Sequence, residues 1–326
     1  VSAISPQSLI LSCKLLFVFS DWSYPVKFQS SNHALIPFSV TMLGIGTYAA
    51  MDGVMKGLSI AMGVYNAMLW RTSIALVLAT ILFLWRRERW PHRSNIRIHV
   101  LRGAVSAVMA YMFFWGLVYV PLAEAIGLSF IAPLVAMYLA AVLLGEKIGA
   151  KAVWASIIGF GGALVILGGK LTGDYDADVA LGMAAVFFSA LLYAYNLILQ
   201  RQQAVVSSPI EVAFFQNATV VVIYWAFSPF WAVVPPVEQL PNLVIAAVLG
   251  VFSMATLSWA YKRAEARILI PVEYTAFVWA ALYGWLVFDE AVTLVTLAGT
   301  SLIVVGCLVA ARQDPQHTVH VESTAV

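Results

Sequence analysis

Charge is the scarcest thing in this chain. Of its 326 residues only 10% are Asp, Glu, Lys or Arg, where a soluble domain carries about 25%. So little charge leaves no basic face for nucleic acid and too few solubilising groups for a soluble enzyme or a disordered segment. Cysteine is almost absent as well. Cys13 and Cys307 stand far apart with no metal-ligand spacing, and Cys307, between Gly306 and Leu308, reads as a small packing residue. No G-x-x-x-x-G-K-[ST] loop occurs, which argues against direct drive by ATP or an associated ATPase subunit. His33, His92, His99, His317 and His320 fall in stretches read as loops or tails and assemble neither a zinc site nor a catalytic dyad. No cofactor is implied.

Apolar residues fill the space instead. They make up 62% of the chain, against about 45–50% in ordinary domains, and mean hydropathy is +0.90. One or two soluble cores could not hide that surplus. The class is an all-α polytopic membrane protein in contact with a lipid bilayer.

A crossing helix needs about 20 mostly apolar residues. Ten such runs are present, near 35–58, 61–85, 99–119, 121–144, 150–169, 179–200, 208–233, 241–262, 265–288 and 292–311. Residues 1–34 read as an N-terminal cytoplasmic extension, because Lys14 interrupts the apolar run Leu9–Phe19 and no small-residue cleavage site follows it. Residues 313–326 read as a cytoplasmic tail. With both termini inside the cell (inner) membrane, fifteen of the 18 Lys and Arg face the cytoplasm; Lys56 and Lys170 face out, and Arg71 lies within a span.

A shift of 144 residues aligns the two halves, 35–170 and 179–312. Trp115 falls on Trp259, Gly145-Glu146 on Asp289-Glu290, Gly162 on Gly306, and Asp52 and Lys56 on Asn196 and Gln200. Five crossings per half, an odd number, place the second copy upside down relative to the first. Inverted repeats of this kind are common in secondary transporters, with the solute held near the midplane.

The stretch from Pro133 to Glu146, followed by Gly159-Phe160-Gly161-Gly162-Ala163-Leu164-Val165-Ile166, resembles the end of an EamA domain. EamA domains occur as tandem pairs in the drug/metabolite transporter superfamily, and the resemblance covers about residues 37–312. It implies ten crossings in two inverted five-helix repeats and transport of a small metabolite. In the second half Phe277 stands where the family pattern has proline, and Pro271 lies six residues earlier, which leaves the kink of span nine open.

Charges inside the spans are the candidate site, since an ionisable group at mid-membrane costs roughly 2.5–3.5 kcal/mol. Asp52 and Lys56 share a helix face four residues apart and form either a local ion pair or part of a gate. Arg71 sits roughly 15 Å into span two, too deep to snorkel easily. Its partner is Asp52, Glu273 or an anionic group of the solute. Glu273 follows Pro271 in span nine and is either a proton carrier or the fixed partner of Arg71. Glu124 and Glu211 open their helices, where they complement the helix dipole and reach water.

Tyr111, Trp115 and Tyr119 form one stripe on span three. Tyr119 reads as an interface anchor, while Tyr111, Trp115 and Trp259 either line a pocket or pack helices. Asn196 and Gln216 orient the solute or bond neighbouring helices.

These features point to a secondary transporter of a small organic metabolite, working as a monomer by alternating access, proton-coupled or exchange-driven, and not to an enzyme. The rival is an integral-membrane lipid-modifying enzyme, whose interfacial cluster of His, Asp or Cys is missing.

Overall fold

In a bilayer every backbone N–H and C=O must find a partner within the protein, which only helices and closed barrels provide. This chain takes the helical solution. The computed structural model describes residues 35–88, 90–144, 150–171, 177–261 and 272–311. The extension 1–34, Gly145-Glu146, residues 172–176 of the acidic loop, Pro271 and the tail lie outside them.

Among the described residues every element is helical. In chain order they are α1 (Leu35–Met62), α2 (Val64–Trp85), α3 (Arg93–Tyr119), α4 (Leu122–Ser129), α5 (Ala132–Leu144), α6 (Ala150–Leu171) and α7 (Ala177–Val206). Then follow α8 (Pro209–Ala226), the short α9 (Ser228–Trp231), a 3-10 turn (Val237–Gln239), α10 (Leu240–Tyr261), α11 (Thr275–Phe288) and α12 (Leu294–Ala311).

Five stretches are long and apolar enough to cross a bilayer: Val64–Trp85, Asn95–Tyr119, Leu122–Leu139, Ala177–Gln200 and Val237–Leu257. Four more are apolar but shorter: Ser156–Ile166, Ile210–Ala226, Thr275–Phe288 and Leu294–Gly306. Helix α1 has ample length at 28 residues, but Asp52, Lys56 and its small polar residues dilute its apolar run. The chain is a multi-pass membrane protein.

Three of the departures from the sequence reading shape the site. Span four is two helices, because Pro133 has no N–H and its ring displaces the carbonyl four residues back. The chain tightens there, with Phe130 N bonded to Gly127 O at 3.3 Å and Ile131 N to Leu128 O at 3.2 Å. Span seven ends at Ala226, where Pro229, Pro235 and Pro236 turn the chain through α9 and the 3-10 turn. Span three starts at Arg93, so His99 is inside a helix and fully buried.

Glycine sets the closest crossings. A Cβ on Gly116 of α3 would come 2.7 Å from Gly182 O of α7, and one on Gly162 of α6 would come 2.5 Å from Gly299 O of α12. Between α1 and α2 a single residue reverses the chain. Gly63 has φ +79°, a conformation that costs other residues a steric penalty. Helix α3 lies along α7 and against α8, and α10 lies along α1 and against α2. Met55, Leu58, Met68, Leu69, Leu117 and Leu128 fill the core they enclose.

Candidate functional site

Helices α1 and α2 run antiparallel from Gly63, so residues roughly 12–17 Å from that turn lie near the same level. Asp52 and Arg71 are such a pair and lie within electrostatic reach of one another. Tyr48 precedes Asp52 by one helical turn and reaches both. Across from them, Tyr224 of α8 is an electrostatic neighbour of Arg71 and of Tyr111 on α3. Tyr193 of α7 neighbours Tyr48, Arg102 and Glu273. One constellation thus draws on α1, α2, α3, α7, α8 and the start of span nine.

Tyr48 and Tyr193 lie deep among protein atoms, yet 47% and 40% of their surfaces are open. A side chain surrounded by protein yet open on one face is what a concave, cavity-lining position requires. Tyr111, at 37%, joins them, and Glu273 is exposed as well, not buried as its position in span nine suggested.

The guanidinium of Arg71 is half-buried in this constellation. It lies against Met51, with Met51 Sδ 3.7 Å from one terminal nitrogen. Its buried Nε has no hydrogen-bond partner. Among the described residues, no ion pair joins it to Asp52 or Glu273.

The bundle is clasped at the end where α1 meets α2. Lys56 pairs with Glu290 rather than with Asp52, and also donates to Val120 O at 2.8 Å. Glu290 accepts a second bond, 2.8 Å from the N–H of Leu122 at the start of α4, where the helix dipole favours an anion. The local chain is shaped for this. Asp289 caps α11 in the left-handed region at φ 52°, which turns Glu290 back over the helix. A Cβ on Gly284 would stand 2.9 Å from the carboxylate. Glu124 lies beside this clasp, buried and bonded to Thr296 Oγ1 at 3.1 Å, not reaching water as expected.

At the opposite end a buried chain of hydrogen bonds links α3, α7 and α8. Asn196 Oδ1 accepts from Arg102 Nε at 2.9 Å, and Gln203 Oε1 accepts from the same guanidinium at 2.5 Å. The amide nitrogen of Gln203 then donates to His99 Nδ1 at 2.5 Å. His99 Nε2 therefore carries the proton toward Glu211, 2.8 Å away. Arg102 and Glu211 are thus a cation and an anion joined through two neutral groups.

Asn196 is buried here, also bonded to Ser106, and Gln216 reaches the same Ser106 at 3.4 Å. Both sit in this network rather than among the cavity tyrosines. Trp115 packs half-buried on the core beside Tyr119, with ring centroids 5.1 Å apart, and Trp259 lies half-buried by Ala260 and Val40.

Of the residues singled out from sequence, Asp52, Arg71, Tyr111 and Glu273 fall within this electrostatic constellation. Tyr48, Tyr193 and Tyr224 were missed, although the i, i+4 step from Tyr48 to Asp52 carried a signal. A separate groove of about 590 Å³ between α3, α5 and α7 is lined by Val108, Met112, Val135, Leu139, Phe188 and neighbours. Nearly all hydrocarbon, it is set apart from these charges.

A helical bundle that crosses a bilayer many times and holds charge in its interior belongs to the membrane transport class. Residues 35–168 and 180–312 each match the EamA-like transporter family, so the chain is a member of that family. It is 26% identical to the pseudopaline exporter CntI of Pseudomonas aeruginosa, over 84% of this chain and 95% of that protein. It is 23% identical to a riboflavin transporter of Brucella anthropi, over 82% and 95% of the two chains. Identity is also 23% with an S-adenosylmethionine uptake transporter of Rickettsia bellii, over 84% and 94%. A crystal structure 21% identical in sequence shares the fold with a TM-score of 0.56, over 86% of this chain and 97% of that one.

Proposed function

We propose that this protein is a secondary transporter that moves a small organic metabolite across the cell membrane by alternating access. It has ten crossings in two inverted five-helix repeats, and both termini are cytoplasmic. The carrying observation is that helix packing is exchanged by the repeat. The packing of α3 along α7 has its counterpart in α10 along α1, and α3 against α8 in α10 against α2. The pairs α6 with α12 and α2 with α8 map onto themselves. Phe130 and Tyr274, 144 residues apart, touch each other, as equivalent residues do only beside a twofold axis.

In this topology the Lys56–Glu290 clasp lies on the outer side and the His99–Glu211 network on the inner side. The cavity of Tyr48, Asp52, Arg71, Tyr111, Tyr193 and Glu273 lies between them. Opening one end while holding the other shut is alternating access. The relatives' names, an exporter and uptake transporters, support a small-metabolite cargo and leave both directions open.

The test is reconstitution of the purified protein in liposomes with radiolabelled candidate metabolites. Exchange or accumulation without chemical alteration of the solute is expected. Release of a modified product, or no flux above protein-free vesicles across the set, would refute the reading.

A further inference from the structure

We infer that the solute carries a carboxylate, and that Arg71 is the residue that holds it. The inference rests on the transporter reading above and names the chemistry of its central cavity.

Arg71 is the starting point because its hydrogen-bonding capacity is largely unspent. A guanidinium presents five N–H donors in a rigid planar fork. Here its Nε is buried without a partner, and the neighbour of one terminal nitrogen is a thioether, 3.7 Å away, which is a weak acceptor. A buried donor left unpaired costs about 1–3 kcal/mol, more when charged. A bound carboxylate would relieve that cost by supplying the missing acceptor.

The surroundings hold the fork ready. Gly250 of α10 flanks it: a Cβ there would lie in ordinary contact, 3.7 Å from the guanidinium. Asp52 is almost wholly buried and lies within electrostatic reach of Arg71 without occupying its donors. Tyr48, open by 47%, stands beside both and offers a ring face and a hydroxyl to the remainder of the solute.

Among oxyanions, the charge balance selects the carboxylate. Both carboxylate and phosphate match the guanidinium fork. A phosphate monoester brings close to two negative charges at neutral pH, one more than the single guanidinium of Arg71 offsets. A single negative charge is what this cavity can take up without leaving an anion uncompensated at mid-membrane.

The experiment uses the purified full chain in detergent and measures thermal shift with matched probes. These are L-tryptophan, L-histidine, indole-3-acetate and succinate, each beside its own amide, with inorganic phosphate and AMP as the phosphate arm. At least one carboxylate is expected to stabilise the wild type, with an apparent affinity tenfold or more above its amide's, while phosphate and AMP give no shift. Arg71→Gln should lose at least tenfold of that affinity, and Arg71→Lys should keep part of it, having the charge without the fork. If Arg71→Gln fails to fold, Arg71→Lys and Tyr48→Phe carry the comparison: the first must weaken the carboxylate selectively, the second must weaken acid and amide alike.

Equal stabilisation by acids and amides overturns the inference. So does a phosphate preference, a carboxylate shift unchanged by the Arg71 variants, or the absence of any carboxylate shift. The same probes in liposomes separate the two readings. Carboxylates that bind selectively but never move would sink the transporter reading and spare this one. Exchange of neutral solutes alone would do the reverse.

Discussion

Phe130 and Tyr274 meet edge to face, with ring centroids 5.2 Å apart and planes at 88°, and each stands where its own helix is interrupted. The interruption at Phe130 has a local cause in Pro133. Around Tyr274 the chain tightens likewise, with Phe277 N bonded to Tyr274 O at 3.2 Å. In the proposed transport cycle, two helix interruptions pressed together would serve as the pivot between the halves. Replacing Phe130 with Ala should lower the melting temperature by several degrees, since losing a buried aromatic costs about 3–5 kcal/mol and this one is only partly buried. Phe130→Tyr, which keeps the ring, should stay near wild type. Equal losses for the two variants would deny the contact a packing role.

The clasp of Lys56 and Glu290 makes a sharper prediction. Removing one partner leaves the other as an unpaired charge, a loss of about 3 kcal/mol or somewhat less because Glu290 keeps 17% exposure. Lys56→Met and Glu290→Leu should each destabilise the protein, and the double variant should recover most of the loss. Thermal unfolding of all four proteins gives the coupling directly. Simple additivity would show that the pair contributes nothing as a pair.

The His99–Glu211 network should behave as a unit. His99→Leu strips Gln203 and Glu211 of a partner at once, at a cost of at least about 1–3 kcal/mol. His99→Asn keeps an acceptor and a donor on a shorter side chain and should lose less. Unfolding midpoints that rank the two variants the other way would refute the hydrogen-bond chain.

Gly162 offers a test of helix crossing. A methyl group there would meet backbone 2.5 Å away, so α6 and α12 would have to separate, and Gly162→Ala should cost about 1–3 kcal/mol. Gly161, one residue earlier with nothing within 4 Å of its Cβ position, is the control. Gly161→Ala should be neutral or stabilising, as alanine is the better helix former. Similar effects at both sites would mean the crossing is not close.

Topology is checked with reporter fusions. Fusions after Arg93 and after Arg201 should report the cytoplasm, and one placed between Asp174 and Asp178 should report the outside. A cytoplasmic signal from the last would overturn the inverted arrangement.

Much of this architecture could be read from residues alone. Hydropathy marked the helices because a bilayer demands long apolar runs, and Arg71 stood out because a cation at that depth needs a reason. Pairing was less visible. Lys56 sits one turn from Asp52, yet its partner is 234 residues away, and only the turn at Asp289 brings the two together. His99 was misjudged because the apolar run begins there, whereas the helix starts at Arg93 with buried polar residues in its first turns. Tyr48 and Tyr193 were hidden among many aromatics, since ring chemistry does not say which face is hollow.

The clasp at Lys56 and Glu290 also bears on leakage. A polar hollow through a membrane is a short circuit for protons and salt unless one end is tight at every instant. Here the plug is assembled from an ammonium group, a carboxylate and the backbone at Val120 and Leu122, so it fits only when all of them are in place. In the proposed transport cycle, such a closure would let the protein hold an ion gradient at rest and release its solute only when the clasp parts.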